Sequence, residues 1–146
     1  MFLYTIGFAK KSAENFFTLI DKNAINILID VRLFNSTQLS GYARGRDLKY
    51  FLKKICDCEY EHCIEYAPTE ELLNNYRNRL ISWHEYARKY NELIIKRNAV
   101  DYFLKRFGHY VSVCLFSSEA TPEQSHRRLL AEMIKARENN TMICHL

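Results

Sequence analysis

The sequence predicts an α/β fold: a single Rossmann-like three-layer domain over residues 1–146, with a mostly parallel sheet and helices on both faces. Three observations predict it. Strand-length apolar runs occur at Phe2–Ile6, Ile25–Val31 and His109–Phe116, as expected of strands covered on both faces. Segments with helical apolar spacing alternate with these runs, the order that builds parallel sheets. The chain has 146 residues, 48% of them hydrophobic and 26% charged, enough for one self-sufficient core.

The elements follow in order. Phe2–Ile6 reads as a buried strand ended by Gly7. Ser12 caps a helix whose apolar face is Phe16, Phe17, Leu19 and Ile20. Ile25–Val31 is the second strand, closing a β-α-β unit. Residues 33–46 form a polar loop with two glycines and two arginines, longer than most connections and so a candidate for function. A helix follows with Leu48, Phe51, Leu52 and Ile55 on one face, then a short strand at Tyr60–His62. Pro68-Thr69 opens the next helix. Ser82-Trp83-His84-Glu85 is a capping box opening a longer helical region that Gly108 stops. His109–Phe116 is the late strand. Thr121-Pro122-Glu123-Gln124 then supplies Thr as N-cap, Pro at the first position and Gln at the third. Leu129, Leu130, Met133 and Ile134 are that helix's buried stripe. Thr141–Leu146 is a short last strand.

Composition excludes several classes. No segment approaches the ~18 apolar residues of a membrane span. The N-terminus lacks the pattern of an export signal, so a cytoplasmic location is expected. The five cysteines, Cys56, Cys58, Cys63, Cys114 and Cys144, are odd in number and read as free thiols. Cys56, Cys58, His62 and Cys63 lack the paired spacing of a zinc site, so no metal is assigned. A net charge of +4 permits anionic partners without demanding them. No cofactor can be named, and the oligomeric state is open, a dimer included.

In an open parallel sheet, ligands bind beyond the carboxyl ends of the strands. Gly7 follows the first strand, Asp30 and Arg32 the second, and Ser117 and Glu119 the late one. Ser125 and His126 lie above the buried stripe at the start of the following helix, where free N–H groups and the helix dipole favour an anion. Asp30, Glu119, His126 and Ser117 are therefore the candidate catalytic residues, with Ser117–His126 the more plausible nucleophile–base pair. Gly7, Arg32, Gly41, Tyr42, Arg44, Ser125 and Arg127 are the candidate ligand contacts. Each has a structural alternative. Asp30–Arg32 reads equally as an ion pair at a strand end, His126 as a histidine bonded to the sheet edge, and Arg44 and Arg46 as solvated loop charges.

At these residues the chain resembles the domain of unknown function 488 family. The resemblance lies in Tyr4-Thr5-Ile6-Gly7, Leu28-Ile29-Asp30-Val31-Arg32, Gly41-Tyr42, Tyr66-Ala67-Pro68-Thr69 and the terminal His145-Leu146. It is most specific in the stretch from Glu119 through Ser125-His126-Arg127-Arg128 to Glu132. It implies an α/β fold and little about activity. The family pattern carries cysteine two residues before the Glu and directly before His-Arg, where this chain has Ser117 and Ser125. It also carries serine where Ala9 stands. Serine is a poor replacement for a thiolate, so metal or redox work by such a pair is not expected here.

Two functions compete. The first is an enzyme or binder acting on a nucleotide, nucleic acid or other phosphate-bearing ligand at the strand ends. The second is a non-catalytic nucleic-acid or protein-binding module using Tyr42, Arg44, Arg46 and Arg127. A rhodanese-like thiol transfer is rejected, because no cysteine is predicted at a strand-to-helix junction.

Overall fold

The computed structural model describes residues 1–36 and 39–146. Five parallel strands, β1 (Phe2–Gly7), β2 (Ile27–Asp30), β3 (Glu59–His62), β4 (Ser112–Ser117) and β5 (Met142–His145), form one sheet in the order β3-β2-β4-β1-β5. Among the described residues six helices cover it: α1 (Ala13–Lys22), α2 (Gly45–Cys56), α3 (Glu70–Arg77), α4 (Trp83–Lys96), α5 (Ala99–Phe107) and α6 (His126–Arg137). The three-layer α/β expectation holds, and among the described residues no helix is long and apolar enough to cross a membrane.

The period-two alternation of the strands makes the layers. Leu3, Ile27, Ile29, Val113 and Leu115 face one way and pack with Leu72 of α3, Tyr90 of α4, Phe103 of α5 and Leu130 of α6. Ile6, Leu28, Cys114 and Phe116 face the other way and pack with Phe16 and Phe17 of α1 and Leu52 of α2. The rings of Phe17, Tyr42 and Phe116 surround Phe16 at centroid distances of 5.1–5.6 Å. The helices after β1 and β2 thus cover one face, and those after β3 and β4 the other. Because β4 lies between β2 and β1, its neighbours' connections leave on the opposite side. A crevice opens where connections diverge in this way. Register aligns the strand ends there: Gly7 opposite Ser117, and Asp30 opposite both Phe116 and His62.

Side-chain caps hold as expected at Ser12, Thr69 and Ser82, whose oxygens accept from Asn15, Leu72 and Glu85 N–H. Two boundaries differ from expectation. The helical region ending at Gly108 is two helices, α4 and α5, because Asn98 adopts the left-handed conformation with φ 51°, which asparagine tolerates better than most residues. The last helix starts at His126, not near Pro122. Ser125 is its extended N-cap and accepts from Arg127 N–H at 3.3 Å. Arg128 meanwhile donates to the carbonyls of Pro122 and Glu123, holding them in a turn. The loop expected over residues 33–46 contains a 3-10 turn at Gly41–Ala43 that leads into α2, and its residues 37 and 38 lie outside the described residues.

A cleft over two buried arginines

The first arginine closes the end of β2. Asp30 is fully buried and Arg32 is 4% exposed. Asp30 Oδ1 accepts from the Arg32 backbone N–H and Nε, and Oδ2 accepts from Nη2 at 2.6 Å. Tyr60 Oη also donates to Oδ2 at 2.6 Å, and Arg32 Nη2 donates to the Ala43 carbonyl. The guanidinium lies over the Phe116 ring, 4.6 Å from its centroid. The ion-pair reading of Asp30–Arg32 is therefore the one the structure bears out. Arg32 Nη1 is buried with no hydrogen-bond partner among the described residues.

Two histidines hold the peptide beyond this pair. His126 Nε2 is 2.8 Å from the Val31 carbonyl and His62 Nε2 is 2.7 Å from the Arg32 carbonyl. A carbonyl only accepts, so each Nε2 carries the proton. His126 thus bonds the sheet edge, and its unprotonated nitrogen is Nδ1. Burial lowers its pKa below 6.5, with Arg127 adding to the effect, while Glu119, the Val31 carbonyl and Asp30 oppose it.

The second arginine lies under the end of β4. Arg127 is fully buried, and its Nη1 donates to Ser117 Oγ at 2.9 Å, the Glu119 carbonyl at 2.8 Å and Ser125 Oγ at 3.2 Å. Ser117 and Ser125, 3.1 Å apart, both donate to Glu119 Oε2. Arg127 Nη1 lies 3.7 Å from that oxygen. Burial would raise the Glu119 carboxyl, but His126, the Ser117 hydroxyl and Arg127 outweigh it and bring it below 4.5. The anion at the start of α6 is therefore the chain's own carboxylate. Arg127 Nε and Nη2 are buried without partners.

Glu119 remains 40% exposed on its other side. There it lines a cleft of about 270 Å³ with Leu73, Tyr76, Arg77, Tyr86, Thr121, Gln124 and His126. A smaller cavity next to it is lined by Arg32, Pro68, Ser118 and again Arg77, Glu119 and His126. Among the described residues the exposed side chain of Arg77 makes no ion pair or hydrogen bond. Tyr76 donates to Gln124 Oε1. Larger grooves of about 880 and 610 Å³ lie elsewhere, the first lined by residues of α5 and the second between α1 and α2.

The structure divides the expected residues. Asp30, Arg32, Glu119 and His126 converge at the crevice. Ser117, Ser125 and Arg127 lie behind Glu119, each at most 1% exposed. Ser117 and His126 form no pair, because the hydroxyl is spent on Glu119 and the imidazole on Val31. Gly7 makes room for protein: a Cβ there would collide with the Glu119 carbonyl. Tyr42 Oη donates to the Phe8 and Lys11 carbonyls, fixing the loop to β1's exit. Gly41 is exposed, and Arg44 is half-buried where α2 begins. Cys63 does follow a strand end, contrary to expectation, yet it is 1% exposed and burial pushes its thiol up to about 12. Burial likewise raises Cys58 to about 12 and Cys56 to about 11. Sequence reasoning missed Arg77 and Tyr60. Nothing in the α3 sequence marks Arg77, whereas Tyr60's register opposite Leu28 would have placed it one strand from Asp30.

Fold and site together define a class: a three-layer α/β protein that gathers paired charges at the switch point of a parallel sheet. Within that class the chain belongs to the family described as "Domain of unknown function DUF488", which matches residues 12–134. Neither the curated proteins nor the solved structures contain a match to it.

Two predictions follow from the charges. Asp30→Asn leaves Arg32 buried and uncompensated and costs about 3–5 kcal/mol in urea unfolding. Adding Arg32→Met removes the stranded charge, so the double variant is less destabilised; a double variant as unstable as the single one contradicts this account. The second concerns pH. An unfolded histidine binds its proton near 6.5, above the folded value of His126. Below that pH the unfolded chain holds more protons, so stability falls as pH falls. Glu119 acts in the same direction below 4.5. Thermal melts from about pH 7.5 to about 5.5 should show Tm decreasing, with a shallower slope in His126→Gln. An unchanged slope in that variant refutes the assignment.

Proposed function

We propose that this protein binds a phosphate-bearing ligand, of the nucleotide or nucleic-acid class, in the cleft at the ends of β2 and β4. The supporting observation is the clustering of unspent cationic donors beside a neutral histidine. Among the described residues Arg77 is unpaired, and Arg32 keeps one nitrogen without a partner although it is buried. Buried guanidinium nitrogens are rarely left unpaired, and guanidinium suits the geometry of phosphate oxygens.

A reaction at this site would use Glu119 and His126. Glu119 is the ionised group and Nδ1 of His126 the free base, both lining the same cleft. These are the components of proton transfer to or from a ligand hydroxyl or a water. Ser117 takes no part as a nucleophile in this reading, and Asp30 serves to hold Arg32.

The non-catalytic alternative draws support from the sealed serines and the protonated thiols. Its proposed surface is weakened by the burial of Arg127 and by Tyr42's commitment to main-chain carbonyls. Thermal shifts with inorganic phosphate, AMP and a short single-stranded RNA, against sodium chloride of equal ionic strength, decide the matter. Ligand at about 100 times its Kd adds about 2.7 kcal/mol, several degrees in Tm for a chain of this size. Arg77→Ala should at least halve the shift without changing the melting of the free protein. No shift from any phosphate, or a shift that survives Arg77→Ala intact, rejects the proposal.

A further inference from the structure

Glu119 is held unlike an ordinary cleft carboxylate. One oxygen, Oε2, takes both serine hydroxyls and faces Arg127. No side-chain hydrogen bond to the other, Oε1, is found among the described residues, and the side chain as a whole is 40% exposed. Ser117 and Ser125 are anchored in turn by Arg127 Nη1. The carboxylate is therefore fixed in place, countered from behind, and presents one acceptor oxygen to the cleft. Polar side chains stand among the residues that line the cleft with it. Tyr86 lines it with a hydroxyl that bonds to nothing among the described residues, and Gln124, whose oxygen accepts from Tyr76, has amide N–H groups with no hydrogen bond among the described residues.

A fixed anionic acceptor is a poor neighbour for a second anion and a good one for hydroxyl groups. A carboxylate oxygen accepts two O–H groups at once, and such charge-assisted bonds are the strong ones. The cleft thus offers two chemically distinct kinds of contact, the Arg77 guanidinium with the one unpartnered nitrogen of Arg32 and the carboxylate of Glu119. We infer that the ligand is a sugar phosphate with a vicinal diol, as in a ribonucleotide, its phosphate toward Arg77 and Arg32 and its diol on Glu119 Oε1. This inference rests on the phosphate-binding reading and narrows it. It also gives Ser117 and Ser125 a role: they are positioning residues that aim Glu119. Hydroxyls suit this role better than thiols, which donate weakly.

Isothermal titration of the intact protein with AMP, 2′-deoxy-AMP, 3′-deoxy-AMP and inorganic phosphate tests it. AMP should bind about ten- to a hundredfold tighter than either deoxy analogue, the span of a hydrogen bond to a charged partner. Glu119→Gln should bring AMP down to the level of the deoxy compounds while phosphate binding persists. Equal affinity for AMP and both analogues overturns the diol assignment and leaves the phosphate site standing. An AMP preference that survives Glu119→Gln overturns the role of Glu119. Absence of binding by all four compounds overturns both this inference and the reading beneath it. The comparison of AMP with its analogues needs only the unaltered chain, so it decides even if the variant fails to fold.

Discussion

Asp30 and Arg32, two residues apart at the end of β2, form the contact on which the remaining strand ends depend. Their bidentate pair is joined by Tyr60 from β3, by the Ala43 carbonyl from the loop entering α2, and by the ring of Phe116 from β4. Four segments meet on one buried pair. The geometry follows from β2 stopping between two longer-range connections: its last carboxylate has no strand partner beyond it, and the chain turns so that Arg32 folds back. Such a pair is weak evidence for net stability, since desolvation offsets much of its attraction. Its contribution is positional. It sets the path of the chain on which the Val31 and Arg32 carbonyls meet His126 and His62, and so it sets where the His126 imidazole stands.

The second arginine does the same for β4 by a different route. Arg127 is carried by α6 rather than by the strand, and it reaches beneath Glu119 only because Gly7 lacks a side chain. Serines at 117 and 125 then supply a pair of donors. Both hydroxyls converge on one carboxylate oxygen. The consequence is a fixed, ionised Glu119 rather than a nucleophile or a redox pair. Burial meanwhile raises the thiol pKa of Cys56, Cys58 and Cys63.

Much of this fold was legible because strands β1, β2 and β4 are buried on both faces and read as unbroken apolar runs. Helices α1, α3 and α4 announced themselves through Ser12, Thr69 and Ser82. The start of α6 was misread because Thr121-Pro122-Glu123-Gln124 carries good local capping signals, which lose to the tertiary bonds of Ser125 and Arg128. The break between α4 and α5 was invisible because Asn98 adopts its left-handed turn without a glycine or proline to mark it. At the site, topology alone was enough to bring Asp30, Arg32, Glu119 and His126 together. It could not say which side chains would turn inward. Arg127 and Arg128 are adjacent and alike in sequence, yet one is sealed beneath the sheet edge and the other pairs with Glu132 at the surface.

A crystal structure grown with AMP shows whether the cleft over the two buried arginines takes a phosphate-bearing ligand. Phosphate density is expected within hydrogen-bond distance of Arg77, with Arg32 Nη1 turned toward it and ribose oxygens beside Glu119 Oε1. An empty cleft at saturating AMP, or a nucleotide bound only in the grooves away from the strand ends, would contradict it.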